Sequence, residues 1–273
     1  MRVWVLGSGS EGNAVLVESA GTRILIDAGF PVRELAKRLA AIDVSAESIE
    51  SAIVTHEHDD HVRGVCAAAR RWKWTVYASA GTIAGHPLLE EICARPFAAG
   101  ATLEVGDLSV HTVRTPHDGT EPVAVLATAR SSGVRAGIIY DLGHVPSSYR
   151  KTFERLDILV LESNHDEGML RAGPYPPSVQ SRIGGSYGHL SNRRAGLFAR
   201  DCAHAGLAQL VLAHLSERCN DPAIALRSMR DALSRTSFRG VMSAATQAAT
   251  CGPFTAGRGS RATYAGSQLS LEL

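Results

Sequence analysis

The hydrophobic pattern of the chain alternates between short apolar runs and amphipathic segments. Apolar runs of about four to eight residues predict β-strands, and apolar residues three or four positions apart, such as Leu35, Leu39 and Ile42, predict helices. Strands are predicted at 3–6, 14–18, 23–26, 52–55, 74–78, 108–115, 122–128, 134–140, 158–161, 209–213 and 240–243. Helices are predicted at 31–41, 62–72, 82–93, 147–156, 192–205 and 222–234, and a glycine-rich loop at 252–266.

The order of these elements indicates the fold class. Strands come first, helices follow, and the pattern repeats once along the chain. Such an order favours an α/β protein in which two β-sheets pack together with helices outside them. The 273 residues are 45% hydrophobic and 20% charged, which is typical of a globular protein with a sizeable core. We therefore expect residues 1–273 to form a single domain.

Charge and cysteine content indicate the cellular compartment and the partners of the protein. A net charge of +1 gives no strong electrostatic indication of a partner. The five cysteines are odd in number and lack a C-x-x-C spacing, which favours a reducing compartment over a disulfide framework. No apolar run approaches the ~20 residues that a membrane helix requires. These features predict a cytoplasmic protein without a membrane partner, and they leave its oligomeric state open.

One short stretch carries most of the candidate chemistry. Residues 55–61 read T-H-E-H-D-D-H and follow an apolar strand directly. His56 and His58 are two positions apart, so in an extended segment their side chains point the same way. Imidazole and carboxylate groups are common ligands of divalent metals. One ion could take His56 and His58, and a second could take Asp60 and His61.

Further polar residues follow other predicted strands, at the point where each strand ends. Because ligands of open α/β sheets bind beyond the carboxyl ends of the strands, these groups are expected to share one rim with residues 55–61. The set is sufficient for two metal ions held about 3.5–4 Å apart with a hydroxide between them. We assign one ion to His56, His58 and His117, the other to Asp60, His61 and His214, and the bridging position to Asp141. The carboxylates expected to orient the imidazoles through their other ring nitrogen are Asp27, Asp59, Asp118 and Glu162.

The order of these motifs resembles the metallo-β-lactamase superfamily over nearly the whole chain. The resemblance implies an αβ/βα four-layer sandwich. Stretches 7–14, 162–166, 175–176, 188–192 and 212–216 resemble one branch of it, the bacterial WalJ/YycJ-like exonucleases, which are related to tRNase Z and to phosphonate-pathway phosphodiesterases. Asp141 is typical of the zinc phosphodiesterases, whereas common β-lactamases carry a cysteine there. The family's usual pair of asparagines after the last motif is replaced here by Cys219-Asn220.

The resemblance also implies a function and roles for particular residues. The expected activity is a DNA 5′-to-3′ exonuclease that uses two divalent ions, zinc or manganese, and a metal-bridging hydroxide. Asp60 belongs to the catalytic centre, and His189, with His165 as the second choice, would protonate the leaving oxygen because histidine titrates near working pH. Residues expected to contact the substrate are Ser8, Ser10 and Asn13 of the glycine-rich loop and Arg182.

Two alternatives stay open at the level of the sequence. The same pair of ions could activate water against a carbonyl group, as in a lactam, lactone or thioester hydrolase. A non-enzymatic scaffold that has kept the fold is the other alternative, but the complete ligand set argues against it.

Overall fold

The computed structural model describes residues 1–257 and 270–271. The strands in chain order are β1 Arg2–Gly7, β2 Ala14–Ser19, β3 Thr22–Ile26, β4 Ser51–Val54, β5 Thr75–Ser79, β6 Arg95–Phe97, β7 Thr102–Val105, β8 Leu108–Arg114, β9 Val123–Ala129, β10 Arg135–Ile139, β11 Ile158–Glu162, β12 Gln209–Ala213, β13 Val241–Ala244, β14 Cys251–Thr255 and β15 Ser270–Leu271. The helices are α1 Val32–Ala40, α2 Asp59–Val62, α3 Val65–Trp72, α4 Ala80–Gly85, α5 Pro87–Glu91, α6 Tyr149–Thr152, α7 Glu167–Ala172, α8 Pro177–Ile183, α9 Asn192–Cys202 and α10 Pro222–Leu233.

The strands form two mixed sheets. The first has seven strands in the order β14-β1-β2-β3-β4-β5-β6, and the second has eight in the order β15-β13-β12-β11-β10-β9-β8-β7. In the first sheet, β3 to β6 are parallel neighbours. In the second, β10 to β13 are parallel neighbours. The parallel strands of both sheets are followed by helices or loops at their carboxyl ends, which is where functional side chains collect in such sheets.

The core lies in three apolar layers. The middle layer joins the two sheets, with Val15 and Ile24 from one and Val125 and Val160 from the other. A second layer packs the first sheet against α1 and α3. A third packs the other sheet against α6, α9 and α10. Helix, sheet, sheet and helix therefore follow one another, and the four-layer sandwich expected from the sequence is confirmed.

The carboxyl-terminal glycine-rich segment differs from its predicted loop. Cys251–Thr255 forms β14, which pairs antiparallel with β1 through Arg2 and Thr255 and through Val3 and Phe254. The loop prediction was wrong here because Gly252 and Pro253 suggest a turn, although proline is tolerated in an edge strand such as this one. Ala256 and Gly257 follow the strand without regular structure, and the remainder of the predicted loop, 258–266, lies outside the described residues.

Three predicted helices are shorter or interrupted. The segment 62–72 is preceded by the short α2, and 82–93 divides into α4 and α5 at His86-Pro87. The residue before a proline is disfavoured in helical conformation, which accounts for the second break. The predicted helix 147–156 is reduced to α6. Within the part of the chain that the structure describes, no helix combines the length and the apolar character needed to cross a bilayer.

Candidate metal centre

The centre lies where β3, β4, β10, β11 and β12 end. Asp27 and His214 come directly after strand ends and Asp141 comes two residues after one, and the φ angles of Asp27, Asp141 and His214 are 60°, 55° and 52°. Positive φ is uncommon for residues other than glycine, and the conformation persists only where surrounding contacts hold it. Three of the predicted site residues therefore turn the chain sharply, and the turn directs their side chains toward one point.

Three imidazoles form the first cluster. His56 Nε2 lies 3.1 Å from His58 Nδ1, and His117 Nε2 lies 3.2 Å from the same atom. His56 and His117 are buried, and burial lowers the pKa of both. Both rings are therefore held neutral, which is the form that binds a metal ion. The cluster brings together the three residues that the sequence assigns to one ion.

The second cluster combines imidazole and carboxylate groups. Asp60 Oδ2 lies 3.3 Å from His61 Nε2 and 3.3 Å from His214 Nε2. Burial favours the neutral carboxyl of Asp60, but the adjacent histidines outweigh it and hold its pKa well below its ordinary value. Asp60 is thus an anion facing two nitrogens, as the proposed ligand set of the second ion requires.

Asp141 lies between the two clusters and supplies a test of whether metal ions fit. Its Oδ2 is 2.9 Å from His61 Nε2, and its Oδ1 is 3.3 Å from His214 Nδ1. Oδ2 is nevertheless buried without a hydrogen-bond partner. A buried carboxylate oxygen that lies near a nitrogen but does not bond to it is costly in a protein interior, unless a cation occupies the point that both atoms face. With His56 and His61, Asp141 forms a further group of possible ligands that joins the clusters.

Asp27 holds the His61 ring from behind. His61 Nδ1 donates to Asp27 Oδ2 at 2.8 Å, which leaves Nε2 facing the centre. Asp27 also accepts bonds from Thr55 N at 2.7 Å, Thr55 Oγ1 at 2.8 Å and Tyr140 Oη at 2.7 Å. A ligand imidazole is commonly fixed in this way through its second nitrogen. Thr55 and Tyr140 were missed by the sequence analysis, and their only signal was adjacency to the motif residues His56 and Asp141.

The glycine-rich loop supports the centre from inside the protein. Asn13 is fully buried, and its Nδ2 lies 3.2 Å from Asp60 Oδ2 and 3.2 Å from His61 Nε2. Ser8 Oγ donates to Asn13 Oδ1 at 2.8 Å and accepts from the His214 amide at 2.8 Å. Neither Ser8 nor Asn13 lines the cavity at the centre, whereas Ser10 does. Only Ser10 of this loop is therefore placed where a substrate could touch it.

Glu162 and His189 form a pair at the edge of the centre. His189 Nδ1 donates to Glu162 Oε1 at 2.7 Å, and Glu162 Oε2 accepts from the amides of Leu142 and Leu190 at 3.0 and 3.1 Å. Burial opposes protonation of His189, but Glu162 and Asp141 outweigh it and raise the pKa of His189 to about 10. Glu162 Oε1 lies 3.4 Å from His214 Nδ1, which is farther than its 2.7 Å from His189 Nδ1. Glu162 therefore orients the ring of His189 more closely than that of His214.

The other histidine considered for proton transfer, His165, is placed elsewhere. Its side chain is buried and does not line the cavity at the centre. Burial lowers the pKa of His165 to about 4. Its backbone forms a bridge to Ser191, and its own ring nitrogen Nδ1 has no hydrogen-bond partner. The structure therefore does not bring His165 together with His189 in front of the metal-binding groups.

The centre opens into a cavity of about 310 Å³. Arg182 of α8 forms one wall, and its Nε and Nη2 lie 2.9 and 2.8 Å from Asp118 Oδ2. Asp118 Oδ1 is 3.2 Å from His117 Nε2, while the opposite nitrogen of that ring, Nδ1, donates to the Gly188 carbonyl at 3.1 Å. Asp118 therefore contacts the His117 ring on its metal-facing side, not at the second nitrogen. Asp59 is exposed and bonds to Arg63.

Two asparagines fix the backbone of His214 and of the segment after β11. Asn164 Nδ2 donates to the His214 carbonyl at 2.9 Å. Asn220 Nδ2 donates to the carbonyls of Ser163 and Asn164 at 2.7 and 3.1 Å. Asn220 is buried, so the loop that holds it positions the segment after β11 and does not face the cavity.

Comparison with known proteins agrees with this arrangement. Residues 7–158 match the model of the metallo-beta-lactamase superfamily. The exodeoxyribonuclease YycJ of Bacillus anthracis is 30% identical over 86% of this chain and 89% of its own length. The exodeoxyribonuclease WalJ of Streptococcus pneumoniae is 27% identical over 86% of this chain and 88% of its own. The crystal structure of Zn²⁺-bound PqqB from Methylobacterium extorquens, 18% identical, superposes with a TM-score of 0.69 over 92% of this chain and 100% of that one. With its family model, its relatives and its fold in agreement, this chain belongs to the metallo-beta-lactamase superfamily.

Proposed function

We propose that this protein is a metal-dependent phosphodiesterase that degrades DNA as an exonuclease. The observation that carries the proposal is the convergence of the histidine and aspartate clusters on a cavity that also holds His189 and Arg182. The two relatives named exodeoxyribonucleases support the choice of DNA, since the chain matches each over most of its length. We take residues 1–273 as one hydrolase domain and keep the cytoplasm as its expected location.

The proposed cofactors are two divalent ions, zinc or manganese. His56, His58 and His117 would hold one, Asp60, His61 and His214 would hold the other, and Asp141 would contact both. When bound, such ions neutralise charge on phosphate oxygens and lower the pKa of water, which is the chemistry that hydrolysis of a phosphodiester requires.

His189 is proposed to protonate the leaving oxygen. Its Nδ1 is committed to Glu162, so Nε2 is the nitrogen left for the substrate. Burial opposes protonation of His189, but Glu162 outweighs it and raises the pKa of the ring, which favours the protonated form that can give a proton to an alkoxide. The departing 3′- or 5′-oxygen of DNA is strongly basic and leaves poorly without that proton. Glu162 then stabilises the His189 ring in the orientation that the transfer needs.

Arg182 is proposed to bind a phosphate of the DNA strand. Its guanidinium lies at the cavity wall and is largely exposed, with Asp118 as its partner. Arginine forms strong paired bonds to phosphate oxygens, and such contacts position a nucleic acid without reading its sequence. Ser10 lines the same cavity and is the second candidate for contact with the strand.

The test is a substrate panel with purified protein reconstituted with zinc or manganese. We expect degradation of DNA labelled at either end and hydrolysis of bis(4-nitrophenyl) phosphate, with His58→Ala and Asp141→Ala losing both activities. His111→Ala is the matched control, because the His111 ring hydrogen-bonds with Thr102 Oγ1 on β7, and His111 belongs to neither histidine–aspartate cluster nor the cavity lining. If the loaded wild-type protein hydrolyses a lactone or thioester but neither phosphodiester, carbonyl hydrolysis replaces this proposal.

A further inference from the structure

A second cavity lies next to the metal centre, on the other side of residues 186–190, which we call the strap. The cavity has a volume of about 420 Å³ and is bordered by the loop 144–147, α6 and α9. Gly188 and His189 of the strap line the cavity at the metal centre, whereas Leu190 lines the second one. The two cavities are therefore separated by a single segment of backbone.

The strap is held firmly against the loop that follows Asp141. His144 Nδ1 donates to the Ser186 carbonyl at 2.9 Å. A Cβ added to Gly143 would lie 2.3 Å from the Ser186 carbonyl carbon, so the two backbones touch and only glycine fits there. Arg194 Nη1 donates to the Gly143 carbonyl at 2.9 Å. The second cavity is thus fixed in position relative to the metal-binding groups.

The chemistry of the second cavity suits a nucleotide. Leu197 provides exposed apolar surface for a base above the buried Leu190 and Phe198, while Arg150 and Arg194 provide positive charge for a phosphate. One acidic residue, Asp201, also borders the cavity and lies 3.2 Å from Arg150 Nη2. That pair is exposed, and exposed pairs contribute little energy, so Arg150 can exchange Asp201 for a phosphate at small cost.

One exposed apolar side chain lies on the wall of the second cavity, and another lies on the strap beside it. Among the described residues the large hydrophobic side chains exposed to solvent are Leu88, Tyr187 and Leu197, with 47%, 64% and 50% of their surface accessible. Tyr187 lies on the strap and Leu197 on the cavity wall. Proteins that bind single strands combine basic grooves with exposed side chains on which bases stack.

We propose that the second cavity binds a nucleotide of the DNA strand next to the one being hydrolysed, with the strand crossing the strap at Tyr187. This inference rests on the proposed function and adds a binding site for the part of the strand that lies away from the metal-binding groups. The site is separated from the cavity at the centre only by the strap, carries the charge complementary to phosphate, and has the volume typical of small ligand sites.

The test compares two substitutions on the same helix. Leu197→Glu places a negative charge in the cavity at an exposed position, where the fold tolerates it. Arg200→Glu is the matched control, because Arg200 is exposed on α9 but does not line the cavity, and it makes the larger change in net charge. We expect Leu197→Glu to raise the KM for a single-stranded oligonucleotide roughly tenfold and Arg200→Glu to change it little. Hydrolysis of bis(4-nitrophenyl) phosphate, which is too small to reach the second cavity, should be unchanged in both.

A second variant keeps the test decisive if Leu197→Glu folds poorly. Arg150→Ala should weaken oligonucleotide binding, measured by fluorescence anisotropy of a labelled strand, and should reduce the slope of log affinity against log salt by about one. Equal effects of Leu197→Glu and Arg200→Glu would overturn the inference. Parallel losses of activity on the oligonucleotide and on bis(4-nitrophenyl) phosphate would also overturn it. A third contrary result is a Leu197→Glu protein that binds the oligonucleotide as tightly as the wild type but no longer forms a dimer that the wild type forms, since Leu197 would then belong to a protein–protein interface. A wild-type protein inactive on both phosphodiesters refutes the proposed function itself, which is a different result.

Discussion

Replacing Glu162 by glutamine changes a single interaction of the proposed proton donor. In the native protein, Glu162 Oε1 accepts from His189 Nδ1, and Oε2 accepts from two backbone amides. The glutamine oxygen can keep the two amide bonds, while its NH₂ group then faces the His189 ring. An NH₂ group cannot accept a hydrogen bond from Nδ1–H. The neutral ring is therefore favoured, and the charged acid is lost.

The size of the effect follows from the pKa of His189. Glu162 is among the carboxylates that raise it to about 10, and one opposite charge at this distance shifts a pKa by about 1–3 units. Each unit corresponds to about 1.4 kcal/mol. The positive charge of bound ions lowers the starting value in the loaded enzyme, so the shift brings His189 to or below working pH. We expect activity on DNA to fall about 10–1000-fold at pH 8, which overlaps the ~10²–10⁴-fold that general acid catalysis contributes.

The assay uses two substrates that differ in their need for an acid. The leaving group in DNA is a sugar alkoxide, which needs a proton. The leaving group in bis(4-nitrophenyl) phosphate is 4-nitrophenolate, which leaves without one. Glu162→Gln should therefore slow DNA hydrolysis strongly and bis(4-nitrophenyl) phosphate hydrolysis little, and the descending limb of the pH–rate profile on DNA should move to lower pH. His189→Ala should show the same split, and the double variant should lose no more than either single one. Equal losses on both substrates, or an unshifted pH limb, would refute the assignment of His189 as the acid.

The remaining predictions concern metal binding, substrate binding and stability. Asn13→Ala should weaken metal binding about 10–100-fold, because it removes the amide contact to Asp60; competition with a chromophoric chelator measures this. Arg182→Ala should raise the KM for DNA several-fold and leave the metal content unchanged, as measured by elemental analysis. Chelation should lower the melting temperature, since ions that bind only the folded state stabilise it by about 2.7 kcal/mol at a hundred times their Kd. In the metal-free protein, burial opposes the charged forms of His189 and His214, but nearby carboxylates raise their pKa values to about 10 and 9. Both values exceed the ~6.5 of an unfolded histidine, so this stabilisation is complete below about pH 6.5 and is lost as pH rises toward 10. The urea concentration at the midpoint of unfolding should fall as pH rises from about 6.5 to about 10. A midpoint that rises over this range would show that these histidines do not stabilise the folded protein when charged.

Individual residues show how far sequence reasoning reached. His56, His58 and His61 lie within six positions, so their convergence is a local property of a strand that turns into a helix. His117 and His214 are distant in sequence, yet both follow strands, and the strand-end rule was enough to expect them at the same rim. Ser8 and Asn13 were expected at the substrate, but both point into the protein and support the metal-binding groups. Their direction depends on contacts with His214, which follows β12, and with α2, and no local pattern contains these contacts.

The sequence by itself determined the layered fold, the rim on which the site lies and the chemical types of its ligands, because hydrophobic period and strand ends are local features. Only the tertiary structure decided which side chains face the cavity. His165 and His189 both precede short polar segments, but the packing of the strap directs only His189 toward the centre. Likewise, β14 pairs with β1 from the opposite end of the chain. Such partners are selected by packing between distant segments, and a pattern of residues along the chain carries the period of an element but not the identity of its neighbour.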